Sequence, residues 1–174
     1  VVTSIETVAR PRPASGPERE IWNLAATVVD PEVPVVTIED LGVLRRVELA
    51  EDGGVVVQIT PTYSGCPAVD AIRDDVVSVL TEAGYRDVRV EVVLAPAWTT
   101  DWMSESGREK LEAYGIAPPA PRRADGRVNL GVGVRCPRCA SLDTRESSRF
   151  GSTSCKALYV CRRCQEPFDY FKEH

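Results

Sequence analysis

The sequence predicts an α+β protein, a small helix-strand-strand-helix-strand domain followed by a C-terminal Cys₄ zinc ribbon. Three observations lead to it. Two Cys-x-x-Cys pairs, Cys136-Pro137-Arg138-Cys139 and Cys161-Arg162-Arg163-Cys164, stand in the last quarter of the 174 residues. Upstream, two segments carry apolar residues at helical spacing, and three short β-branched runs accompany them. Between the two parts, Ala117-Pro118-Pro119-Ala120-Pro121 reads as an extended linker that holds the ribbon away from the first domain.

Residues 1–17 are rich in Pro, Arg, Ser and Gly without an apolar period, the pattern of a flexible lead-in. Ser15 and Glu18 have capping-box spacing ahead of a helix whose apolar face is Ile21, Leu24, Ala25, Val28 and Val29. Pro31 stops it near Asp30, because proline disfavours α geometry in the residue before it. Leu44 to Leu49 and Val55 to Thr60, joined by Glu51-Asp52-Gly53-Gly54, form a hairpin. A second helix is expected from Cys66-Pro67, with Val69, Ile72, Val76, Leu80 and Ala83 buried and Gly84 as its C-terminal cap. Val88 to Leu94 is the third strand, and a short helix follows, capped by Ser106 with Glu109 and closed by Gly115. The expected layers put both main helices on one face of the sheet. The boundaries are then 18–116 for the α+β domain, 117–129 for the linker and 130–174 for the ribbon.

Four thiolates in two tight pairs make a closed tetrahedral set, the coordination of a structural zinc with no position open to substrate. Cys136, Cys139, Cys161 and Cys164 are the expected ligands. A rubredoxin-like iron site uses the same four ligands, but Ala140 and Gln165 occupy the places where glycine would follow each pair. Disulfides fit poorly: without a signal-peptide-like segment or long apolar stretch, a reducing cytoplasm is the expected compartment. Nothing approaches the roughly 18 consecutive apolar residues of a membrane span. The net charge of -5 divides unevenly, with 10 Lys/Arg against 20 Asp/Glu in residues 1–120 and 11 against 6 in the remainder. The basic end invites a nucleic-acid reading, supported by Phe150, Tyr159, Phe168, Tyr170 and Phe171 as possible stacking platforms. A local role is favoured, with Arg135, Arg138, Arg162 and Arg163 offsetting the charge of a zinc tetrathiolate and the aromatics packing the ribbon.

Cys66 is the one cysteine outside the metal region. At the start of a helix it would face unpaired N–H groups that favour the thiolate, and the polar loop Thr62-Tyr63-Ser64-Gly65 before it suits an exposed reactive group. The alternative is a buried, inert thiol. Asp30, Glu32, Glu39 and Asp40 could bind a hard metal or serve as acid and base, although capping turns is their ordinary use. Cys155 lies between the knuckles without a knuckle partner and reads as a buried or reactive free thiol; His174 is terminal and a poor ligand candidate. One histidine removes most acid–base enzymes from consideration, so an enzyme is not expected.

Asp30-Pro31-Glu32-Val33-Pro34, Thr37-Ile38-Glu39-Asp40-Leu41-Gly42-Val43 and Thr62-Tyr63-Ser64-Gly65-Cys66-Pro67 resemble the small domain of cytosolic iron–sulfur assembly targeting proteins and the Suf accessory protein T family. Pro96-Ala97-Trp98-Thr99-Thr100-Asp101-Trp102-Met103-Ser104, Gly115-Ile116-Ala117-Pro118-Pro119 and the ribbon end Glu166-Pro167-Phe168-Asp169-Tyr170-Phe171-Lys172 extend the resemblance to the phenylacetate-degradation protein D family, associated with phenylacetyl-CoA epoxidase. The resemblance implies an accessory protein of aerobic phenylacetate catabolism that helps mature a di-iron oxygenase or a flavin and iron–sulfur reductase, working with the iron–sulfur assembly machinery. It also implies a reactive cysteine at Cys66 that holds iron or a cluster transiently, with Asp30 and Glu32 beside it. The alternatives are a stoichiometric structural component of the epoxidase and a nucleic-acid-binding ribbon. Dimerisation through the first domain would bring two Cys66 residues together.

Overall fold

The structure, a computed structural model, describes residues 12–119 and 133–172. The first residues of the lead-in, the linker from Ala120 to residue 129 and His174 fall outside the described residues. Helix α1 spans Pro17–Ala25, shorter at its C-terminal end than the apolar period suggests. Its N-cap is Gly16 at φ 86°, with no side-chain cap, so the Ser15/Glu18 capping box does not form. After Ala25 the chain turns extended; Val29 bridges Thr37, and the backbone N–H of Ile38 donates to Val28 O at 2.9 Å.

Strands β1 (Leu44–Leu49) and β2 (Gly54–Ile59) make the expected hairpin, with Leu44 opposite Ile59 and Leu49 opposite Val55. Helix α2 (Val69–Glu82) crosses over to β3 (Arg86–Val92), which runs parallel to β2. The crossover is required because parallel neighbours cannot be joined by a tight turn. Val55, Val57 and Ile59 are fully buried and alternate with more exposed residues, the period-2 pattern of a sheet covered on one face. Helices α1 and α2 supply the cover, setting Ile21, Trp22, Ala25, Ile72, Val76 and Leu80 against those strands.

Helix α3 (Glu105–Tyr114) is capped by Ser104, whose Oγ accepts from Gly107 N at 2.9 Å, and not by Ser106. Gly115 closes it at φ 91°, a left-handed C-cap that glycine adopts without steric cost. The chain then enters β4 (Ile116–Ala117), and the ribbon adds β5 (Thr144–Ser148), β6 (Lys156–Cys161) and β7 (Pro167–Phe171) in the sheet order β4-β7-β6-β5.

This order corrects the expectation that the ribbon is held at a distance. Ile116, the last residue assigned to the first domain, and Ala117, the first assigned to the linker, pair in parallel with Asp169 and Tyr170 of β7. Phe171 and Cys155 of the ribbon are 1% and 5% exposed and belong to the core of the first domain. Two apolar surfaces bury each other here, and that gain outweighs the extended preference of a proline-rich run.

Candidate functional site

Two sites emerge, one within the ribbon and one where the domains meet. The first is the sulfur quartet. Cys136, Cys139, Cys161 and Cys164 place their Sγ atoms all within 4.8 Å of one another, with Cys136 to Cys164 at 3.8 Å and Cys139 to Cys161 at 3.6 Å. A zinc ion at the usual Zn–S distance of about 2.3 Å requires sulfurs about 3.8 Å apart at tetrahedral corners, so the donor set fits the ion. The knuckles are built by the backbone. Ala140 N–H donates to Cys136 O at 2.9 Å and Gln165 N–H to Cys161 O at 3.0 Å, closing one tight turn around each pair. Backbone N–H groups of Cys164 and Arg163 pull the Cys161 thiol down to about 7, while burial and the neighbouring thiols push that of Cys164 up, so the protons are shared unevenly among the four sulfurs.

Ala140 and Gln165 adopt φ 58° and φ 64°, the left-handed region that glycine would occupy more comfortably. The missing glycines therefore do not prevent the knuckle geometry, and their absence does not disfavour a rubredoxin-like iron site. The ribbon arginines are largely tied to the ribbon itself. Arg138 pairs with Glu166 at 3.0 Å, Arg162 with Asp143 at 3.7 Å, and Arg135 donates to Ala140 O at 3.2 Å. Tyr159 packs on Phe168 and Tyr170, with ring centroids 5.9 and 5.4 Å away. Phe150, 68% exposed, lies under the Lys172 ammonium at 4.8 Å.

The second site gathers residues far apart in sequence. The acidic loop after α1 divides into two pairs by function. Glu39 accepts from Trp22 Nε1 at 2.9 Å and pairs with Arg12, while Asp40 accepts from Thr37 N, Ser104 Oγ and Lys110 Nζ. Burial alone would raise the Asp40 carboxyl, but Lys110 at 2.6 Å and the Thr37 N–H hold it below its ordinary value. These two carboxylates tie the loop to α1 and α3. Gly42, at φ 75°, lets the loop pass beneath Trp102, whose carbonyl oxygen would lie 2.5 Å from an added Cβ.

Asp30 instead lines a recess with Cys66, and the Glu32 charge acts on the same thiol. Asp30 is 8% exposed and lines a small recess with Thr62, Cys66 and the apolar Val43, Ile59 and Ile72. Its Oδ1 accepts the backbone N–H groups of Glu32 and Val33, each at 2.9 Å. Burial pushes both carboxyls up, and the Asp30 charge adds to the effect on Glu32.

Cys66 does not sit as the sequence suggests. Helix α2 begins at Val69 with Ala68 as its N-cap, so Cys66 precedes the helix, and its thiol is half-buried. Burial pushes the thiol up to about 11. The Ala68 N–H partly opposes this, whereas the charges of Glu32, Asp30 and Cys155 reinforce it. The expected stabilised thiolate is corrected: carboxylates and desolvation win over the helix terminus.

The sequence reading missed that Cys155 joins the first domain's core. Cys155 lies just before β6, buried, with Thr153 Oγ1 3.0 Å from its sulfur. Burial pushes its thiol up too, and Glu32 and Asp30 add to the shift. Lys156, buried beside it, is 3.8 Å from Asp169, and its charge acts on Asp30, Glu32 and Cys155. The only signal in the sequence was a cysteine without a knuckle partner. Among the described residues no helix is long and apolar enough to cross a membrane.

Comparison with known proteins divides the chain in the same way. Residues 18–92 match the family described as iron–sulfur cluster assembly protein, and residues 120–172 match the PaaD zinc beta ribbon domain. An Escherichia coli protein, provisionally named as the D subunit of 1,2-phenylacetyl-CoA epoxidase, is 51% identical over 153 residues, covering 88% of this chain and 91% of its own. A Porphyromonas gingivalis Fe-S protein maturation auxiliary factor is 38% identical over 95 residues, 54% of this chain and 90% of its own. A solved structure of a domain of unknown function from Bacillus anthracis aligns with a TM-score of 0.51 at 31% identity, over 54% of this chain and 90% of its own.

Proposed function

The chain belongs to the PaaD-like family, that of the protein named as the D subunit of phenylacetyl-CoA epoxidase, and on that premise we propose that it is an accessory factor supplying iron or an iron–sulfur species to a component of that system. The observation that carries the reading is the recess that Cys66 shares with Asp30, within reach of the Glu32 charge, inside the domain that matches iron–sulfur assembly proteins. A thiol kept protonated by burial, with neighbouring carboxylates adding to the effect, is a guarded ligand. It resists adventitious chemistry and becomes a thiolate when a cation arrives to offset the charge. The relatives named as maturation auxiliary factors span the first domain alone, so the ribbon is read as the part that adapts the factor to its client. The structural zinc would be held by Cys136, Cys139, Cys161 and Cys164, and when bound it supplies folding free energy to the ribbon.

The name of the Escherichia coli relative favours a second reading, a stoichiometric component of the oxygenase. The two separate on purified components. An accessory factor added to fully metallated epoxidase leaves kcat unchanged, since it contributes no group to the transition state. A rise in kcat, or co-elution with the active enzyme at one copy per oxygenase unit, selects the stoichiometric reading instead.

A further inference from the structure

We infer that β3 is a self-association edge: two copies of this chain join antiparallel through β3 about a two-fold axis at Val90, making one continuous sheet of their first domains. The inference goes beyond the proposed function and does not depend on it, since no residue of β3 lines the Cys66 recess.

The backbone supplies the first argument. β3 is the outer strand of the order β1-β2-β3, and among the described residues no strand lies beyond it. Val93 N–H donates to Ile59 O at 2.9 Å, on the β2 side. Successive backbone groups of a strand point to opposite sides, so those of Arg89 and Glu91 also face β2, while the N–H and C=O groups of Val88, Val90 and Val92 face outward. An antiparallel partner takes up such groups at alternate positions. With the axis at Val90, Val90 exchanges both of its bonds with the partner's Val90, and Val88 does so with the partner's Val92.

The side chains supply the second argument. The same register sets Arg89 opposite the partner's Glu91 and Glu91 opposite the partner's Arg89, at the non-hydrogen-bonded positions where facing side chains are closest. Both are exposed on the face of the sheet away from the helices. Opposite charges therefore meet twice. An axis at Arg89 or Glu91 would instead bring like charges together, and one at Val92 would set the two charges opposite the partner's Ala95 and Val93. An axis at Val88 runs into Asp87, whose φ of 50° accompanies a break in the strand register. On the helix-covered face, Val88 and Val92 meet their partner counterparts in one apolar row. Val92 is 39% exposed although its neighbour Ile59 is fully buried, so this row runs out to an uncovered edge.

Other sheet edges carry devices that β3 lacks. On β1, Arg46 pairs with Glu48 of its own strand and Glu18 of α1 accepts from Leu49 N–H, while β5 carries a register break between Glu146 and Ser148. Arg89 has no ion pair among the described residues, and Glu91 accepts from the neutral Gln58 Nε2 at 3.2 Å. Edge charges of a single sign would repel a second copy; alternating charges in this register attract one. The geometry also corrects the expectation that dimerisation joins two Cys66 residues. Ile59 lines the Cys66 recess and pairs with Val92, and the axis at Val90 sends the two copies of Val92 toward opposite ends of the interface.

The test is sedimentation equilibrium of the zinc-loaded full chain over a wide range of concentration, with circular dichroism and zinc content recorded for every variant to establish folding. The wild-type protein is expected to show a reversible monomer–dimer equilibrium that salt weakens. Arg89→Glu and Glu91→Arg each set like charges across the interface and should weaken association about tenfold. The double variant R89E/E91R, and an equimolar mixture of the two single variants, should restore it, because opposite charges face each other again. A wild-type protein that stays monomeric at every concentration overturns the inference and leaves the edge to a strand of some other protein. A dimer that both single variants retain places the interface elsewhere and overturns it too. So does a loss that neither the double variant nor the mixture restores, which would give the two charges a merely local role.

Discussion

Trp98 of the first domain and Phe171 of the ribbon pack with ring centroids 6.0 Å apart at 55°, and the two residues are 4% and 1% exposed. Trp98 is anchored in turn by its indole N–H, which donates to Leu41 O at 2.9 Å on the loop that ends at Gly42. The ribbon is therefore part of the core that supports the acidic loop. Phe171→Ala removes a fully buried aromatic and is expected to cost about 3–5 kcal/mol. Denaturant unfolding followed by tryptophan fluorescence, which reports the first domain, should register that loss. An unchanged midpoint would mean that the domains are energetically independent.

Metal loss should act through the same contact. Cys136→Ser is expected to lose zinc and unfold the ribbon, because metal binding supplies most of a small site's folding free energy. With Phe171 and Cys155 withdrawn from the shared core, the first domain should also melt at lower temperature. Calorimetry of the zinc-bound and chelated protein measures both effects. Cys155→Ser, away from the quartet, should retain zinc.

The Cys66 thiol, pushed up to about 11, should alkylate slowly at neutral pH, its rate rising about tenfold per pH unit as the thiolate fraction grows. The sign follows from the neighbours: removing a negative charge favours the thiolate, so Glu32→Gln should lower the apparent pKa and speed labelling at pH 8. Mass spectrometry of iodoacetamide-treated protein reads both. Fast labelling of the wild-type protein at pH 7, unaffected by Glu32→Gln, would show that the helix terminus dominates after all.

Ala140 holds a left-handed backbone at φ 58° to close the first knuckle. Ala140→Gly relieves about 1 kcal/mol of that conformational cost, partly offset by the greater freedom of glycine in the unfolded chain. The net expectation is a gain of up to about 1 kcal/mol in ribbon stability, seen as tighter zinc retention in competition with a chromophoric chelator. Weaker retention would contradict the strain.

The parts legible in the sequence were those encoded locally. Alternating valines gave β2, the Glu51-Asp52-Gly53-Gly54 turn marked the hairpin, and the spacing of four cysteines marked the quartet whose sulfurs the fold brings within 4.8 Å of one another. Helix starts slipped by one to three residues because Ser15, Ser106 and Cys66 each offered a plausible cap close to the true boundary. The state of Cys66 was misjudged for a physical reason: a helix terminus is visible in sequence, whereas burial and the approach of Asp30 and Glu32 are tertiary facts. The burial of Cys155 in the first domain's core, like the packing of Trp98 on Phe171, leaves no periodic trace, since it depends on how two domains dock.

The central claim, that this chain delivers iron through Cys66, is tested most directly by the metal content of its client. The oxygenase and reductase components are purified from cells carrying wild-type protein, Cys66→Ala or none, and iron and cluster are counted per polypeptide. Cys66→Ala removes little packed volume from a half-buried position, so the variant should fold and hold its zinc. The account predicts client that is iron- or cluster-deficient with Cys66→Ala, as it is without the protein, while each correctly loaded molecule turns over at the normal rate. Fully loaded oxygenase and reductase from the Cys66→Ala cells would contradict it.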